Sequence, residues 1–282
     1  MIPQIHALDL SVIMARRTLI QDDWRLNYQV HDPFARLYII TDSEGGMRLR
    51  DQDIALTTGD MVLVQAGERF NHYPSVGMDH YWFHFTAHLR SGSSLFDHIL
   101  APNLYRPPDY NYVLSLAQKA PQLFASEAPA ALLEVKGILQ LLLSRFLNLP
   151  ETKWDLEAIG HVERFRPALR YIDLHLNQDL PISLLARQMD LHPTYFANIF
   201  SKAFGIGPRD YVLRKRIERA QTLLFHTDQP IRDVGMQSGF PDPAYFSRIF
   251  MKQTGFSPSA YRRWGRSQSV QSVDSVTIRP LV

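Results

Sequence analysis

The 282-residue chain contains no cysteine. That excludes a disulfide framework, thiolate metal sites and a cysteine nucleophile, and it fits a reducing cytoplasm. No apolar run approaches the roughly 18 residues that a membrane span requires. The N-terminal Met1-Ile-Pro-Gln-Ile-His-Ala-Leu-Asp9 has no basic stretch followed by a long apolar core, which predicts no signal peptide. Paired carboxylates suited to acid and base catalysis are missing, and His72, His80, His84 and His88 do not complete a metal motif. No enzyme, metal site or cofactor is therefore expected.

Acidic residues are scarce in one region. Residues 164–266 hold 16 Lys and Arg against 8 Asp and Glu, a net +8, whereas the first 163 residues hold 13 against 19, a net −6. The overall +2 conceals this division. A basic third beside an acidic remainder is the footprint of a polyanion partner, although a solvated basic face gives the same count.

An imperfect internal repeat of about fifty residues shifts that balance. Pro181-Ile182 returns as Pro230-Ile231, and Tyr195-Phe196 as Tyr245-Phe246. Phe200, Gly205, Pro208 and Tyr211 return as Phe250, Gly255, Pro258 and Tyr261. The offset is 49 before an internal turn and 50 after it, so the second copy carries one extra residue there. A repeat of this length is one supersecondary unit used twice. Here the unit reads as helix, short turn, helix, and it is basic, which points to DNA.

In the first copy Ile182, Leu185, Ala186 and Met189 fall on one helix face, followed by a turn at Asp190-Leu-His192 and Pro193 at the first helical position. Phe196, Ile199, Phe200, Ala203 and Phe204 form the buried face of the next helix and leave Thr194, Ala197, Asn198 and Lys202 outside. In the second copy Ile231, Val234, Gly235 and Ser238 repeat the first face, and Gly239-Phe-Pro-Asp242 supplies Asp242 as N-cap. Phe246, Ile249 and Phe250 point inward, with Ala244, Ser247, Arg248 and Lys252 outward. Leu213, Ile217, Ala220 and Leu224 mark one long helix between the copies, bearing Arg214, Lys215, Arg216 and Arg219. A helix fits the major groove, where Arg248 can contact guanine and Asn198 adenine. Lys202, Lys252 and Arg262 suit phosphate neutralisation, which adds affinity with little sequence discrimination.

The first 108 residues read differently. Arg25–Val30, Arg36–Thr41, Met47–Arg50, Ile54–Thr57, Met61–Gln65 and Tyr81–Thr86 are short, rich in β-branched and aromatic residues, and separated by turn signals, which predicts a sandwich or small barrel. From about Asp109 the period becomes helical: Tyr112, Leu116, Ala120 and Leu123, an interruption at Pro121 and Pro129, then Leu132, Val135, Leu139, Leu142, Leu143, Phe146 and Leu147. This wide apolar face needs a covering surface: the barrel, another helix or a second copy of itself.

Ile231-Arg-Asp-Val-Gly-Met-Gln-Ser-Gly-Phe-Pro-Asp-Pro-Ala-Tyr-Phe-Ser-Arg-Ile-Phe-Met-Lys-Gln-Thr-Gly-Phe-Ser-Pro-Ser-Ala-Tyr-Arg262 resembles the signature of AraC/XylS-type transcription regulators. The resemblance covers both copies in order. It implies two helix-turn-helix units that place recognition helices in successive major grooves. Base-reading positions then fall on Thr194, Ala197 and Asn198 and on Ala244, Ser247 and Arg248. RNA polymerase, a homodimer and activation follow from the same resemblance. Two residues depart from the pattern: Gly235 stands where Ala is usual and Ser238 where an apolar residue is usual. Glycine inside a helix costs roughly 0.8–1 kcal/mol relative to Ala, which predicts a softer first helix in the second unit.

Thr58-Gly59-Asp60-Met-Val-Leu-Val, Asn71-His72-Tyr73 and His80-Tyr-Trp-Phe-His-Phe85 resemble the cupin-type effector domain of the sugar-responsive branch. Strand alternation puts His80, Trp82 and His84 on one face and Tyr81, Phe83 and Phe85 on the other. By that resemblance Tyr73, His80 and Trp82 contact effector, with His84 on their face; a structural role for Trp82 and His84 as satisfied core stands beside this reading. The Arg that the arabinose-responsive pattern carries near Thr41-Asp42 is absent, which argues against arabinose itself, and Arg36 is the candidate substitute. The family's N-terminal arm corresponds to Met1–Asp9.

The expected architecture is α+β. It comprises a cupin-like effector domain (1–108), a helical dimerisation segment (109–149), a linker (150–163), an all-α double helix-turn-helix domain (164–266) and a mobile tail (267–282). The expected function is that of a cytoplasmic, sequence-specific DNA-binding regulator controlled by a sugar-like effector. The alternatives are a domain that binds a lipid or small acid or serves only dimerisation, and a cupin enzyme with a DNA-binding appendage.

Overall fold

A computed structural model describes residues 8–19, 34–43, 45–49, 52–73, 78–89, 93–126 and 128–263, with side chains at 71–73, 158 and 226 excepted. Among the described residues the chain divides into two compact units, one built from Asp9–Ala87 and Ile99–Trp154, the other from His88–His98 and residues 155–263.

The first unit is strand-rich. β1 (Asp9–Leu19), β2 (Ala35–Asp42), β5 (Met61–Val64), β7 (Asp79–His88) and β9 (Leu104–Tyr105) form a sheet in the order β1-β7-β2-β5-β9. β3 (Gly46–Leu49), β4 (Gln52–Ala55) and β6 (Phe70–Tyr73) form a second, ordered β4-β3-β6, and β8 (Ile99–Leu100) pairs with β10 (Lys153–Trp154). Among the described residues these pairings make separate sheets and no closed ring of strands. Both faces of β2 and β7 are buried, so neither sequence alternates cleanly between apolar and polar residues. The Thr58-Gly59-Asp60 motif is a structural corner. Gly59 adopts φ +97°, a left-handed conformation that suits glycine, and buried Asp60 accepts from Thr57 N at 2.8 Å and Arg106 Nε at 3.0 Å.

Five strands of the sequence reading overlap β2, β3, β4, β5 and β7, the one expected at Ile54–Thr57 meeting β4 only at Ile54 and Ala55, and the expected strand at Arg25–Val30 lies outside the described residues. β1 and β6 were not anticipated. The expected break at Pro121 does not occur: α1 (Tyr110–Ala125) runs through it, and Pro129 instead opens α2 (Pro129–Leu147). The buried face of α1 is Val113, Ala117 and Ala120, leaving Tyr112 exposed, a narrow seam of small residues against α2. On α2 the buried face starts at Ala131 rather than Leu132. This helix is apolar almost all round, so periodicity alone does not choose the inward side.

The second unit is helical: α3 (Leu156–Glu163), α4 (Arg166–Leu174), α5 (Ile182–Arg187), α6 (Pro193–Phe204), α7 (Pro208–His226), α8 (Ile231–Gln237) and α9 (Pro243–Thr254), then a helical turn over 258–263. The stretch read as a linker contains β10 and α3. Ile159 and Val162 of α3 are buried, three residues apart on one face, within a polar sequence that hides the period.

Candidate nucleic-acid interface

The repeat is a structural repeat down to its rings. Phe196, Phe200 and Tyr211 are buried with centroids 5.4 Å apart at each step, and Phe246, Phe250 and Tyr261 repeat this at 5.6 and 5.5 Å. Most of these ring pairs meet edge-on, which adds to the burial of large apolar surface. α5 and α6 form one helix-turn-helix unit, and α8 and α9 the other. The second helices of both units, α6 and α9, end on glycine in the left-handed conformation, Gly205 at φ +69° and Gly255 at φ +79°.

The starts of α6 and α9 differ, and the extra residue of the second copy explains why. Backbone bonds Leu191 N to Ala186 O (3.1 Å) and Phe240 N to Gly235 O (2.9 Å) are equivalent, so the copies stay in register to that point. His192 then stands opposite Pro241-Asp242. His192 caps α6 through Nδ1, which accepts from Thr194 N at 3.3 Å. Asp242 caps α9 with one oxygen, accepting from Ala244 N at 2.8 Å and Tyr245 N at 3.3 Å.

Thr194 and Asn198 are exposed on α6 with Ala197 half-buried; Ala244 and Arg248 are exposed on α9 with Ser247 half-buried. Ser247 Oγ donates to Pro243 O at 3.0 Å, and the Arg248 guanidinium lies 5.6 Å from the Tyr245 ring centre. Lys202 and Lys252 are exposed in the last turns of the same helices. Arg262 is half-buried and donates Nη2 to Gln229 O at 2.6 Å, and burial lowers its pKa.

Three of the four cations read on α7 are engaged within the protein, Arg214 and Arg216 part-exposed and Lys215 buried. Arg214 pairs with Asp97 at 3.3 Å, and Arg216 donates to the Leu176 and Gln178 carbonyls at 2.9 and 2.6 Å. Lys215 is buried, 3.4 Å from Glu218 and 3.4 Å from His88 Nε2. Burial opposes its charge, yet Glu218, Tyr211 and Asp173 outweigh that and raise its pKa. Burial likewise pushes Tyr211 up to about 12. Only Arg219 of the four is exposed. The apolar period of α7 was legible; the internal partners of its cations were not.

In the strand-rich unit the register pairs Ile40 with His80, Tyr38 with Trp82 and Arg36 with His84, which places all six on one face of β2 and β7. Arg36, His80, Trp82 and His84 are all buried. Arg36 Nε donates to His84 Nε2 at 3.2 Å, and its guanidinium lies over Phe34 and Phe70. Trp82 Nε1 donates to Thr18 Oγ1 at 2.8 Å, and its ring sits 4.4 Å from His84. His80 is neutral, its pKa pulled to about 4 by burial despite Asp79, and its Nδ1 has no hydrogen-bond partner among the described residues. Tyr73 lies in β6 opposite Gly46, with its side chain outside the described set. Thr18 and Tyr38 were missed because β1 was missed and Tyr38 reads as plain strand core. Among the described residues no three His, Asp or Glu gather as a metal-holding group, and no described helix is long and apolar enough to cross a membrane.

Residues 185–263 match the family model described as a helix-turn-helix domain. The regulatory protein PocR of Salmonella typhimurium is 38% identical over 103 residues, 36% of this chain and 34% of PocR. An uncharacterised HTH-type transcriptional regulator of Staphylococcus aureus is 30% identical over 131 residues, 46% of this chain and 18% of that protein. The chain thus spans about a third or less of these relatives. ToxT from Vibrio cholerae, solved with an unsaturated fatty acid bound, shares the fold over 90% of this chain and 94% of its own, with a TM-score of 0.53 and 12% identity.

Proposed function

We propose that this chain, an AraC-type transcription regulator by its helix-turn-helix domain, reads DNA with α6 and α9 together and is controlled by a small effector bound on the β2–β7 face. The observation that carries the DNA reading is the duplicated unit: two capped helices whose exposed faces hold Thr194, Asn198, Ala244 and Arg248. Arg248 and Asn198 make the polar base contacts, and Ala197 and Ala244 offer apolar surface to a thymine methyl. Ser247 and Thr194 supply hydroxyls. Lys202 and Lys252 neutralise phosphate, with Arg262 contributing less because a carbonyl already holds it.

A sugar or sugar derivative is the effector class that fits the face. Arg36, His80 and His84 are polar groups set around the Trp82 and Tyr38 rings, an arrangement that suits hydroxyls on an apolar ring better than an alkyl chain. The domain that carries this face is cupin-like by the resemblance of its motifs. Leu132, Leu133 and Leu141 are exposed on α2 and supply the surface for a second copy, so the working form is a homodimer. The protein acts in the cytoplasm as an activator that contacts RNA polymerase.

The test is a thermal-shift screen of the full chain against sugars, polyols, uronic acids and fatty acids. A ligand at 100 times its Kd stabilises by about 2.7 kcal/mol. Trp82 is buried, so Trp82→Ala disturbs the core by roughly 3–5 kcal/mol; Trp82→Phe is the cleaner variant. A shift with sugars that Trp82→Phe weakens supports the reading. A shift with fatty acids alone replaces the sugar by a lipid, the ligand class seen in ToxT.

A further inference from the structure

The two helix-turn-helix turns are built alike, but only one of them is docked. In the first unit the left-handed position is Asp190 at φ 53°, exposed, so a side chain is accommodated there. In the second unit it is Gly239 at φ 89°, and it is buried. A Cβ on Gly239 would lie 2.4 Å from the Leu176 carbonyl oxygen, 2.6 Å from Arg216 Nε and 3.0 Å from Arg216 Cζ. Backbone and a planar guanidinium held at two points do not yield as a flexible side chain does. Arg216 is held by its bonds to the Leu176 and Gln178 carbonyls, in the connection between α4 and α5 that leads into the first unit. One guanidinium thus joins that connection, the long helix α7 and the turn of the second unit.

We propose that Gly239 and Arg216 form a spacing lock, holding the second recognition helix at one separation from the first so that the pair reads only sub-sites set at that distance. The inference rests on the DNA reading above. The long helix does not impose the separation by itself, because α8 follows α7 through the non-helical Thr227–Pro230. The contact at Gly239 removes that freedom. Lysine at position 216 cannot replace the fork, since an ammonium on a flexible stem does not hold two carbonyls in one plane.

The experiment selects duplexes from a random-sequence pool with the full-length chain. The enriched duplex is then remade with one base pair added or removed between its two protected sub-sites. One base pair shifts a sub-site by about 3.4 Å and rotates it by about a tenth of a turn. The unaltered protein is expected to bind either respaced duplex at least about tenfold more weakly. Gly239→Ala and the milder Arg216→Lys, each checked for an unchanged folded fraction, are expected to cut that penalty to under about threefold. Asp190→Ala, at the undocked turn, keeps it in full. An undiminished penalty in folded Arg216→Lys and Gly239→Ala overturns the lock. An enriched duplex that the unaltered protein binds at every spacing overturns the lock and leaves the DNA reading standing, whereas failure to enrich any duplex overturns both.

Discussion

Gly235→Ala separates what helix propensity says from what packing says. An alanine inside an exposed helix is worth roughly 0.8–1 kcal/mol over glycine, and on that ground alone the substitution should stiffen α8. The structure reverses the sign. A Cβ at residue 235 would stand 2.9 Å from Phe246 Cδ1, 3.2 Å from Cγ and 3.6 Å from Cβ. Phe246 cannot swing aside: it is fully buried, with Phe240 at 5.3 Å and Phe250 at 5.6 Å. Overpacking of this kind costs about 1–3 kcal/mol, so the net expectation is a loss of up to about 2 kcal/mol. The measurement is chemical unfolding of the full chain followed by loss of helical signal. Because Phe246 lies on α9, weaker binding to an Arg248-dependent duplex should accompany the loss. Stabilisation by about 1 kcal/mol with unchanged binding would refute the packing argument.

Ser238 is fully buried and its hydroxyl has no partner among the described residues; Ser238→Ala should raise stability by about 1 kcal/mol in the same unfolding assay, and a loss would mean the hydroxyl is satisfied in solution. His80, normally near 6.5, is depressed to about 4 by burial, so the unfolded chain binds a proton that the folded chain does not between those values. Folding stability should therefore fall by roughly 3 kcal/mol as pH drops from 6.5 to 4, and His80→Phe should flatten that part of the stability-pH curve. Arg248→Ala should cost about 1–3 kcal/mol on the selected duplex and relax preference at one base pair; an unchanged base-substitution profile would remove Arg248 from base reading.

The two ends of the chain differ in how far their sequences reveal them. The helix-turn-helix pair was legible because it is written twice. Matched Phe, Gly, Pro and Tyr positions fix both registers, and the single extra residue locates the turn where His192 gives way to Pro241-Asp242. What the repeat could not show was which polar residues turn inward. Arg214, Lys215 and Arg216 read only as cations on the long helix, since their partners Asp97, His88 and Leu176 lie far off in sequence. Gly235 read as a defect because the ring it accommodates is on another helix. In the strand-rich unit, alternation placed His80, Trp82 and His84 on one face, and the register adds Arg36 and Tyr38 to it. β1 and the buried side of α2 escaped, since a strand without strict alternation and a helix apolar almost all round carry little periodic signal.

The central claim is that both recognition helices engage DNA at once. Hydroxyl-radical footprinting and base-methylation interference on the selected duplex test it most directly, with the full chain and with Asn198→Ala and Arg248→Ala. The account predicts two protected major-groove patches on one face of the duplex, about 10–10.5 base pairs apart, each weakened by the substitution in its own helix. A single patch, indifferent to Asn198→Ala, would contradict it.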